Sequence, residues 1–221
     1  MTLIAVTGLK AEAKLAAGAD THVLGGGGDG EGLRAALEQT IAQTLARGGT
    51  SGIISFGIAG GLAPGLSAGT VFVGRRIFGE TGSIFDTDPS WSRRLAQALG
   101  GALIADFAGV DLPVATPQAK AALHRGTGAV AVDMESHLAA EAAAKAGIPF
   151  AALRVIADPA ERALPHAATV GMKPDGSMAF GAVLASLARN PAQIGALLRT
   201  AFDARAAFAA LRKSSRIELH P

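Results

Sequence analysis

The sequence of 221 residues contains no cysteine and no tyrosine, a single tryptophan, and only 5% aromatic residues in all. The absence of cysteine excludes disulfides, thiolate zinc ligands and a cysteine nucleophile, and it agrees with a cytoplasmic protein. Because aromatic rings are few and glycines number 29, we expect a core of small side chains packed at close backbone spacing.

Charge is also scarce, since charged residues make up 17% of the chain against 49% apolar residues. This balance argues against disorder and indicates a domain with a large core. The net charge of +2 comes without the concentrated basic stripe of a nucleic-acid-binding protein. The five histidines lack metal-ligand spacing, so we predict no metal and no cofactor.

The chain offers no persuasive membrane-spanning or secretory segment. Its N-terminus lacks the basic stretch and long apolar run of a signal peptide. Residues 48–74 carry no charge, but they contain many glycines and Pro64, so we interpret them as strands joined by a loop rather than a spanning helix. The sequence therefore predicts a cytoplasmic location.

Short apolar runs alternate with stretches of helical periodicity. Predicted strands are 3–6, 21–24, 53–56, 70–73, 102–106, 129–132 and 150–156, and predicted helices are 33–46, 90–99, 136–146, 178–187 and 192–211. Ser136 is predicted to cap its helix, and Gly147 to end it. The alternation indicates an α/β sheet covered on both faces. No linker divides the chain, so we predict one domain over 1–221 with a helical C-terminal segment, 178–213.

Four polar or glycine-rich segments follow predicted strands, where α/β sheets bind their ligands. These segments are Gly8–Glu12, Gly57–Gly61, Asp133–Glu135 and Arg154–Asp158. The glycines after residue 56 would expose backbone N–H donors to a ligand, although an ordinary tight turn explains them equally well. The sequence therefore predicts a site at this edge without fixing its ligand.

Each acidic residue in these segments has a functional and a structural interpretation. Asp133 and Glu135 precede a helix, where a carboxylate either accepts hydrogen bonds from ribose hydroxyls or caps the helix. For Asp133 both interpretations stay open, and for Glu135 we favour ribose binding. Asp158 is a general acid if partly buried, or a turn residue before a proline. Glu12 alone has the pattern of a surface residue.

A dinucleotide-binding module is the first competing interpretation. Gly25, Gly27 and Gly30 match the G-x-G-x-x-G pattern between a strand and a helix. The next predicted strand ends without an acidic residue to hold a ribose hydroxyl, as that fold requires. We therefore reject the module.

Taken in order, the segments AGGL (59–62), DMES (133–136) and RVIADPA (154–160) resemble the superfamily of purine nucleoside phosphorylases and methylthioadenosine/S-adenosylhomocysteine nucleosidases. The resemblance implies a single-domain three-layer α/β/α sandwich with a mixed, partly barrel-like sheet, usually in homo-oligomers. It also implies an enzyme that cleaves the N-glycosidic bond between a purine and a ribose. The stretch 157–177 resembles the hopanoid-associated phosphorylases, which implies adenine release from adenosylhopane in hopanoid side-chain biosynthesis.

The resemblance also assigns roles to individual positions. Asp158 would protonate the leaving purine, Glu12 would activate water, and Glu135 with Met134 would hold the ribose. The phosphate or nucleophile loop would comprise Gly8, Gly57, Ile58, Ala59 and Gly60, and the base site Leu112, Val114 and Arg154, the arginine in a supporting place. Ile58 stands where many relatives have a serine, so the acceptor, phosphate or water, stays open.

Two further alternatives and two partner predictions accompany the resemblance. The alternatives are a general methylthioadenosine/S-adenosylhomocysteine nucleosidase and a catalytically silent nucleoside-binding protein on the same fold. The predicted helix 192–211 has an apolar stripe and several arginines, which suit either packing on its own domain or peripheral contact with an anionic membrane. Residues 163–176 would form a lid over a bulky substrate.

Overall fold

A computed structural model describes residues 1–165, 186, 190 and 193–221. Its strands are β1 (Thr2–Thr7), β2 (Thr21–Gly25), β3 (Thr50–Gly61), β4 (Val71–Gly79), β5 (Ile84–Asp86), β6 (Leu103–Gly109), β7 (Ala131–Asp133) and β8 (Phe150–Asp158). Its helices are α1 (Lys10–Ala16), α2 (Gly30–Ala46), α3 (Pro89–Ala98), α4 (Pro117–Thr127), α5 (Ser136–Ala146) and α6 (Ile194–Ser214). The predicted helix 178–187 lies outside the described residues except for Ser186, and so does most of the predicted lid 163–176.

The eight strands form one mixed sheet that partly closes on itself. β3 pairs in parallel with β1 and β8, and its last residues pair antiparallel with β7. β7 continues through β6 and β4 back to β8, which completes the closed part of the sheet. β2 and β5 extend the sheet at its two ends. The predicted α/β class with a mixed, partly barrel-like sheet is confirmed.

Helices cover both faces of this sheet, and most of the buried apolar side chains fall into two cores. One core joins α2 and α5 to the sheet through Leu33, Leu37 and Leu138. The other joins α1, α3 and α6 through residues such as Ala16 and Leu211. Small side chains dominate the α5 contact, as the scarcity of aromatic residues leads one to expect, and the layers give the sandwich its three-layer form.

Trp91, the one tryptophan of the sequence, anchors the end of the chain. It is fully buried, and its Nε1 donates a hydrogen bond of 3.0 Å to the carbonyl of Leu219. The ring lies over Gly52 in β3, where an added Cβ would come within 2.7 Å of it. A glycine is therefore required beneath the indole for the C-terminal residues to dock against the sheet.

The predicted loop at Gly57–Gly61 is wrong, because these residues belong to β3. The strand continues since Gly57, Ile58 and Ala59 pair in register with residues 154–156 of β8. Glycine weakens a strand only modestly, and pairing with β8, joined at Gly60 and Gly61 by pairing with β7, outweighs that preference here. The glycines therefore form part of a fixed sheet.

The predicted cap of α5 is also wrong, although its bounds match the prediction. Glu135 occupies the N-cap position without a side-chain bond, and Asp133 Oδ1 accepts hydrogen bonds from the N–H groups of Glu135 and Ser136. Gly147 ends the helix with a φ of 65°, as predicted. The helix-capping interpretation of Asp133 is thus realised in the fold.

The C-terminal helix α6 divides its apolar stripe between the core and the surface. Ala207 and Leu211 are fully buried against the sheet, whereas Ile194, Leu198 and Phe202 are exposed. Contact between this helix and a membrane stays a prediction. Within the part of the chain that the structure describes, no helix is long and apolar enough to cross a membrane, and the uncharged stretch 48–74 contributes to β3 and β4.

Candidate active site

A cavity of about 710 Å³, its open mouth included, lies where β1, β3, β7 and β8 end. A mostly apolar cavity that a few polar side chains enter is typical of a small-molecule site. The predicted residues that line it are Gly8, Glu12, Ile58, Ala59, Gly60, Val114, Met134, Glu135 and Asp158. Much of the remaining lining is apolar, including Val110, Pro113, Val132 and Ala157. The topology therefore brings all four sequence segments to one place.

Glu12 is buried in the cavity wall rather than exposed. Its Oε2 accepts hydrogen bonds from the N–H groups of Gly8 (2.8 Å) and Leu9 (2.7 Å), and its Oε1 accepts one from Ile58 (2.8 Å). Burial raises the pKa of Glu12, while these three bonds oppose the rise because they favour the carboxylate. The position of Glu12 in the first turn of α1 explains the geometry, since this turn points its N–H groups towards the side chain.

Glycines make room for the carboxylates of the cavity. A Cβ on Gly57 would lie 2.7 Å from Glu12 Oε1, and a Cβ on Gly8 would lie 2.7 Å from Glu135 Oε1. A Cβ on Gly60 would lie 3.3 Å from Asp158 Oδ2. These three predicted loop glycines therefore admit acidic side chains. Gly57 itself lies behind Glu12 and does not line the cavity.

Arg154 lies beneath the floor of the cavity. It is 1% exposed, and its Nη2 donates to Ser55 Oγ (2.6 Å) and Asp133 Oδ1 (2.9 Å) and lies 3.9 Å from Glu135 Oε2. Burial acts to raise the pKa of Asp133, but the adjoining Arg154 lowers it below the usual value. The arginine is thus a support for the acidic residues and has no surface towards a base.

Glu135 faces the cavity from the N-terminus of α5. Burial and the nearby Asp133 charge raise its pKa to about 8, against the attraction of Arg154. Glu12, Asp133 and Glu135 together form a carboxylate cluster around a single guanidinium. Such a cluster holds one proton readily at neutral pH, because three carboxylates share one cation.

Asp158 ends β8, and an ammonium group that the sequence reasoning missed binds it. Lys120 on α4 is fully buried, and its Nζ lies 2.5 Å from Asp158 Oδ2. Burial raises the pKa of Asp158, and the Lys120 charge opposes that rise. The contact spans 38 residues of sequence. Thr116, which caps α4 ahead of Pro117, is a sequence signal that could have revealed the helix but not the ion pair.

Leu112 differs from the other predicted residues. Its side chain is 74% exposed and does not line the cavity, whereas Pro113 and Val114 do. Within the described ranges, no group of three or more acidic or histidine side chains could hold a metal ion. The carboxyl groups among the apolar residues of the cavity lining suit acid–base chemistry.

The sequence profile of the phosphorylase superfamily matches residues 27–200. The chain belongs to the phosphorylase superfamily. The predicted superfamily is thereby confirmed. A search among curated proteins finds no match.

Solved structures give a consistent picture of the fold. S-adenosylhomocysteine nucleosidase from Streptococcus pyogenes is 20% identical over 73% of this chain and 85% of that one, with a TM-score of 0.61. A 5′-methylthioadenosine/S-adenosylhomocysteine nucleosidase from Helicobacter pylori is 16% identical over 98% of each chain, with a TM-score of 0.62. Futalosine hydrolase from Helicobacter pylori is 17% identical over 97% of each chain, with a TM-score of 0.59. Family membership and this shared fold support an enzyme that acts on N-glycosidic bonds.

Proposed function

We propose that this enzyme is a nucleosidase, which cleaves the N-glycosidic bond of a 5′-substituted adenosine with water as the acceptor. The proposal rests on the place of Glu12. Its carboxylate already accepts the three N–H bonds from Gly8, Leu9 and Ile58, so these backbone donors are not free to bind a phosphate.

The charge of the cavity lining also favours water. Among the described residues that line it, acidic side chains are present and lysine and arginine are absent. Lys120 and Arg154 are buried behind the lining, where Asp158 and Asp133 bind them. A phosphate dianion beside Glu12 would meet an unpaired negative charge, which costs free energy in a partly desolvated site.

The positions of the two acids along β3 suit opposite ends of one nucleoside. Glu12 lies against Gly57 and Asp158 against Gly60, three residues apart, or about 10 Å at roughly 3.3 Å per residue. A nucleoside bound between them would place its anomeric carbon near the water that Glu12 activates. Its base would lie near Asp158. Glu135 and Met134 line the cavity, where they would hold the ribose hydroxyls and pack against the sugar.

In the proposed reaction, Asp158 donates a proton to a ring nitrogen of the purine while the bond between C1′ and the base breaks. The electron pair of that bond leaves with the base. The oxygen of water forms the new bond to C1′, and Glu12 takes the proton that the water loses. General acid and general base steps each contribute typically 10²–10⁴-fold.

Adenosylhopane is the substrate that we propose for this reaction. The resemblance of 157–177 to the hopanoid-associated phosphorylases supports it, although 166–177 lie outside the described residues. The similar folds belong to nucleosidases named for 5′-methylthioadenosine and S-adenosylhomocysteine, which makes those nucleosides the second candidates. A homo-oligomer, a cytoplasmic location and peripheral contact with the membrane go with the proposed substrate.

The test is adenine release by the purified protein from adenosylhopane, 5′-methylthioadenosine and S-adenosylhomocysteine, with and without phosphate in oxygen-18 water. We expect adenine and a free sugar that carries oxygen-18 at C1, with no dependence on phosphate. A phosphorylated sugar formed only with phosphate would overturn the choice of water. Adenine from 5′-methylthioadenosine but not from adenosylhopane would overturn the lipid substrate, and silence on all three would favour a nucleoside-binding protein.

Glu12→Gln tests the role of Glu12 directly. The amide still accepts N–H bonds at one atom but cannot take a proton from water, so we expect a loss of about 10²-fold or more. Glu161→Gln is the matched control, because Glu161 is an exposed glutamate outside the cavity lining that accepts a hydrogen bond from the N–H of Gly65. A fully active Glu12→Gln variant would exclude Glu12 as the base.

A further inference from the structure

Lys120 is a charged side chain buried without any exposure, and the proposed reaction has not yet given it a role. It projects from α4 and places its Nζ within 2.5 Å of Asp158 Oδ2, 3.0 Å of the Pro159 carbonyl and 3.1 Å of the Arg162 carbonyl. An ammonium group has three N–H donors, so these three acceptors fix its direction. The cost of burying a lysine is met by a full set of partners.

The same contacts fix Asp158. Because Lys120 takes Oδ2, the other oxygen of the carboxyl group is left for a ligand in the cavity that Asp158 lines. The two carbonyl bonds tie the turn after β8 to α4, and the N–H of Leu164 in turn donates to the carbonyl of Ala115 (2.8 Å). The acid is therefore held from the side away from the cavity.

Other charged groups face Asp158 from each neighbouring element. Asp203 on α6 pairs with Arg162, and its charge acts in the same direction as burial, raising the pKa of Asp158. Glu161 binds the N–H of Gly65 and lies near Lys120. The carboxylate cluster borders the same cavity. Among the described residues, Lys120 is thus the cation in direct contact with Asp158, and several negative groups surround it.

We propose that Lys120 is a positioning residue for Asp158, which orients the free carboxyl oxygen towards the base and sets the upper pH limit of the reaction. This inference rests on the proposed role of Asp158 as the acid. As Asp158 gives its proton to the base it becomes a carboxylate, and an ammonium already in place stabilises that charge without reorganisation. The same ammonium favours loss of the proton as the pH rises.

The experiment measures kcat/KM for adenine release against pH in Lys120→Met and Lys120→Arg variants. In Lys120→Met we expect a fall of about tenfold or more at the wild-type optimum. We also expect the alkaline limb to move upwards by about one pH unit or more, because an unpaired buried carboxyl keeps its proton longer. Lys120→Arg keeps the charge and should keep the limb near its wild-type position.

A uniform fall with an unmoved alkaline limb would overturn the proposal and leave Lys120 a purely structural residue. The double variant Lys120→Met/Asp158→Asn gives a second test, because a residue that acts through Asp158 adds little once Asp158 is replaced. Carbon-13 NMR titration of labelled aspartates in the wild type and in Lys120→Arg and Lys120→Met needs no turnover. A higher Asp158 pKa in Lys120→Met alone supports the proposal, and an unchanged one refutes it. An inactive wild type would instead refute the proposed function.

Discussion

The two ends of the cavity solve the problem of buried charge in opposite ways. In the carboxylate cluster, Glu12, Asp133 and Glu135 share Arg154 as their cation. At the other end, Asp158 has Lys120 in direct contact. The cluster therefore carries more negative than positive charge. Burial and the neighbouring negative charge raise the pKa of Glu135 to about 8.

The contrast suggests a division of labour within one reaction. Excess negative charge beside a sugar stabilises the cation-like ribosyl group that forms when the base leaves. A paired acid is suited to the base, since its conjugate carboxylate is stabilised as soon as it forms. Each end can be altered separately because different side chains form it, with Arg154 as the cation at one end and Lys120 as the cation at the other.

The largest effect is expected from Asp158→Asn, which removes the acid but leaves an oxygen for Lys120. We expect adenine release to fall by about 10²–10⁴-fold, measured as kcat on the best substrate. Asp86→Asn is the matched control, because Asp86 is exposed on β5 outside the cavity lining, and it should stay within about threefold of wild type. Equal losses in both variants would contradict the role of Asp158 as the acid.

Arg154→Met should destabilise the carboxylate cluster, so we expect its main effect on the free energy of unfolding rather than on the reaction rate. It leaves the buried Asp133 without its cation, and the loss of one partner from a buried pair costs about 3–5 kcal/mol. Urea unfolding measures this change in the free energy of unfolding. Arg76→Met is the control, since Arg76 is half exposed and Asp106 keeps Arg75, and it should cost no more than about 1 kcal/mol. A stable Arg154→Met protein would contradict the shared-cation picture.

Glu135→Gln should give a smaller effect that depends on pH. The folded pKa of Glu135 is raised from 4.5 to about 8, so the group favours the folded state most at low pH, and this contribution is lost as the pH rises between those values. The glutamine variant lacks that loss. Its Tm should gain on wild type with rising pH, by at least about 2–4 °C, the shift for ~1 kcal/mol in a domain of this size.

The Tm difference between Glu135→Gln and wild type is measured by scanning calorimetry from pH 5 to pH 9, with Glu141→Gln on the exposed side of the same helix as control. Because the pKa of Glu141 is lowered by its bonds to Lys145 and Arg34, that control should lose Tm relative to wild type and show no gain at high pH. A constant Glu135→Gln difference across the range would show that Glu135 is not strained by its neighbours.

The smallest effects separate two neighbouring residues at the base end. Leu112 is exposed outside the cavity and Val114 lines it. Leu112→Ala should leave KM unchanged within about twofold, whereas Val114→Ala should raise it by about fivefold, since a lost apolar contact is worth roughly 1 kcal/mol. A larger KM change from Leu112→Ala would restore that residue to the base site.

Local patterns predicted much of the fold and most of the cavity lining. The bounds of α5 matched because Gly147 and Pro149 end the helix chemically. The failures were of tertiary origin. The prediction of a loop at Gly57–Gly61 follows from the usual interruption of strands by glycine, and the pairing with β8 contradicts it. Lys120 was missed because nothing near it in sequence marks a contact with Asp158, which a separate strand supplies.

Glu12 is a second case in which a distant contact, and not the local sequence, decides whether a residue is buried. Glu12 has the local pattern of a surface residue, yet it is buried because Gly57, 45 positions away, leaves space for its carboxylate. The family resemblance implies a role for Glu12. Only the structure shows that the N–H groups of Gly8, Leu9 and Ile58 donate hydrogen bonds to its carboxylate. A glycine pattern alone does not distinguish a site for an external anion from a site for the protein's own carboxylate.

The docking of Leu219 on Trp91 has a practical consequence for spectroscopy. The sequence has no tyrosine and a single tryptophan. Its fluorescence therefore comes from one buried indole, whose N–H donates a hydrogen bond to the carbonyl of Leu219. Release of the C-terminal residues would wet that ring and shift its emission to longer wavelength. The fluorophore stands outside the cavity lining, so the colour of its emission reports on that tail independently of whether a nucleoside is bound.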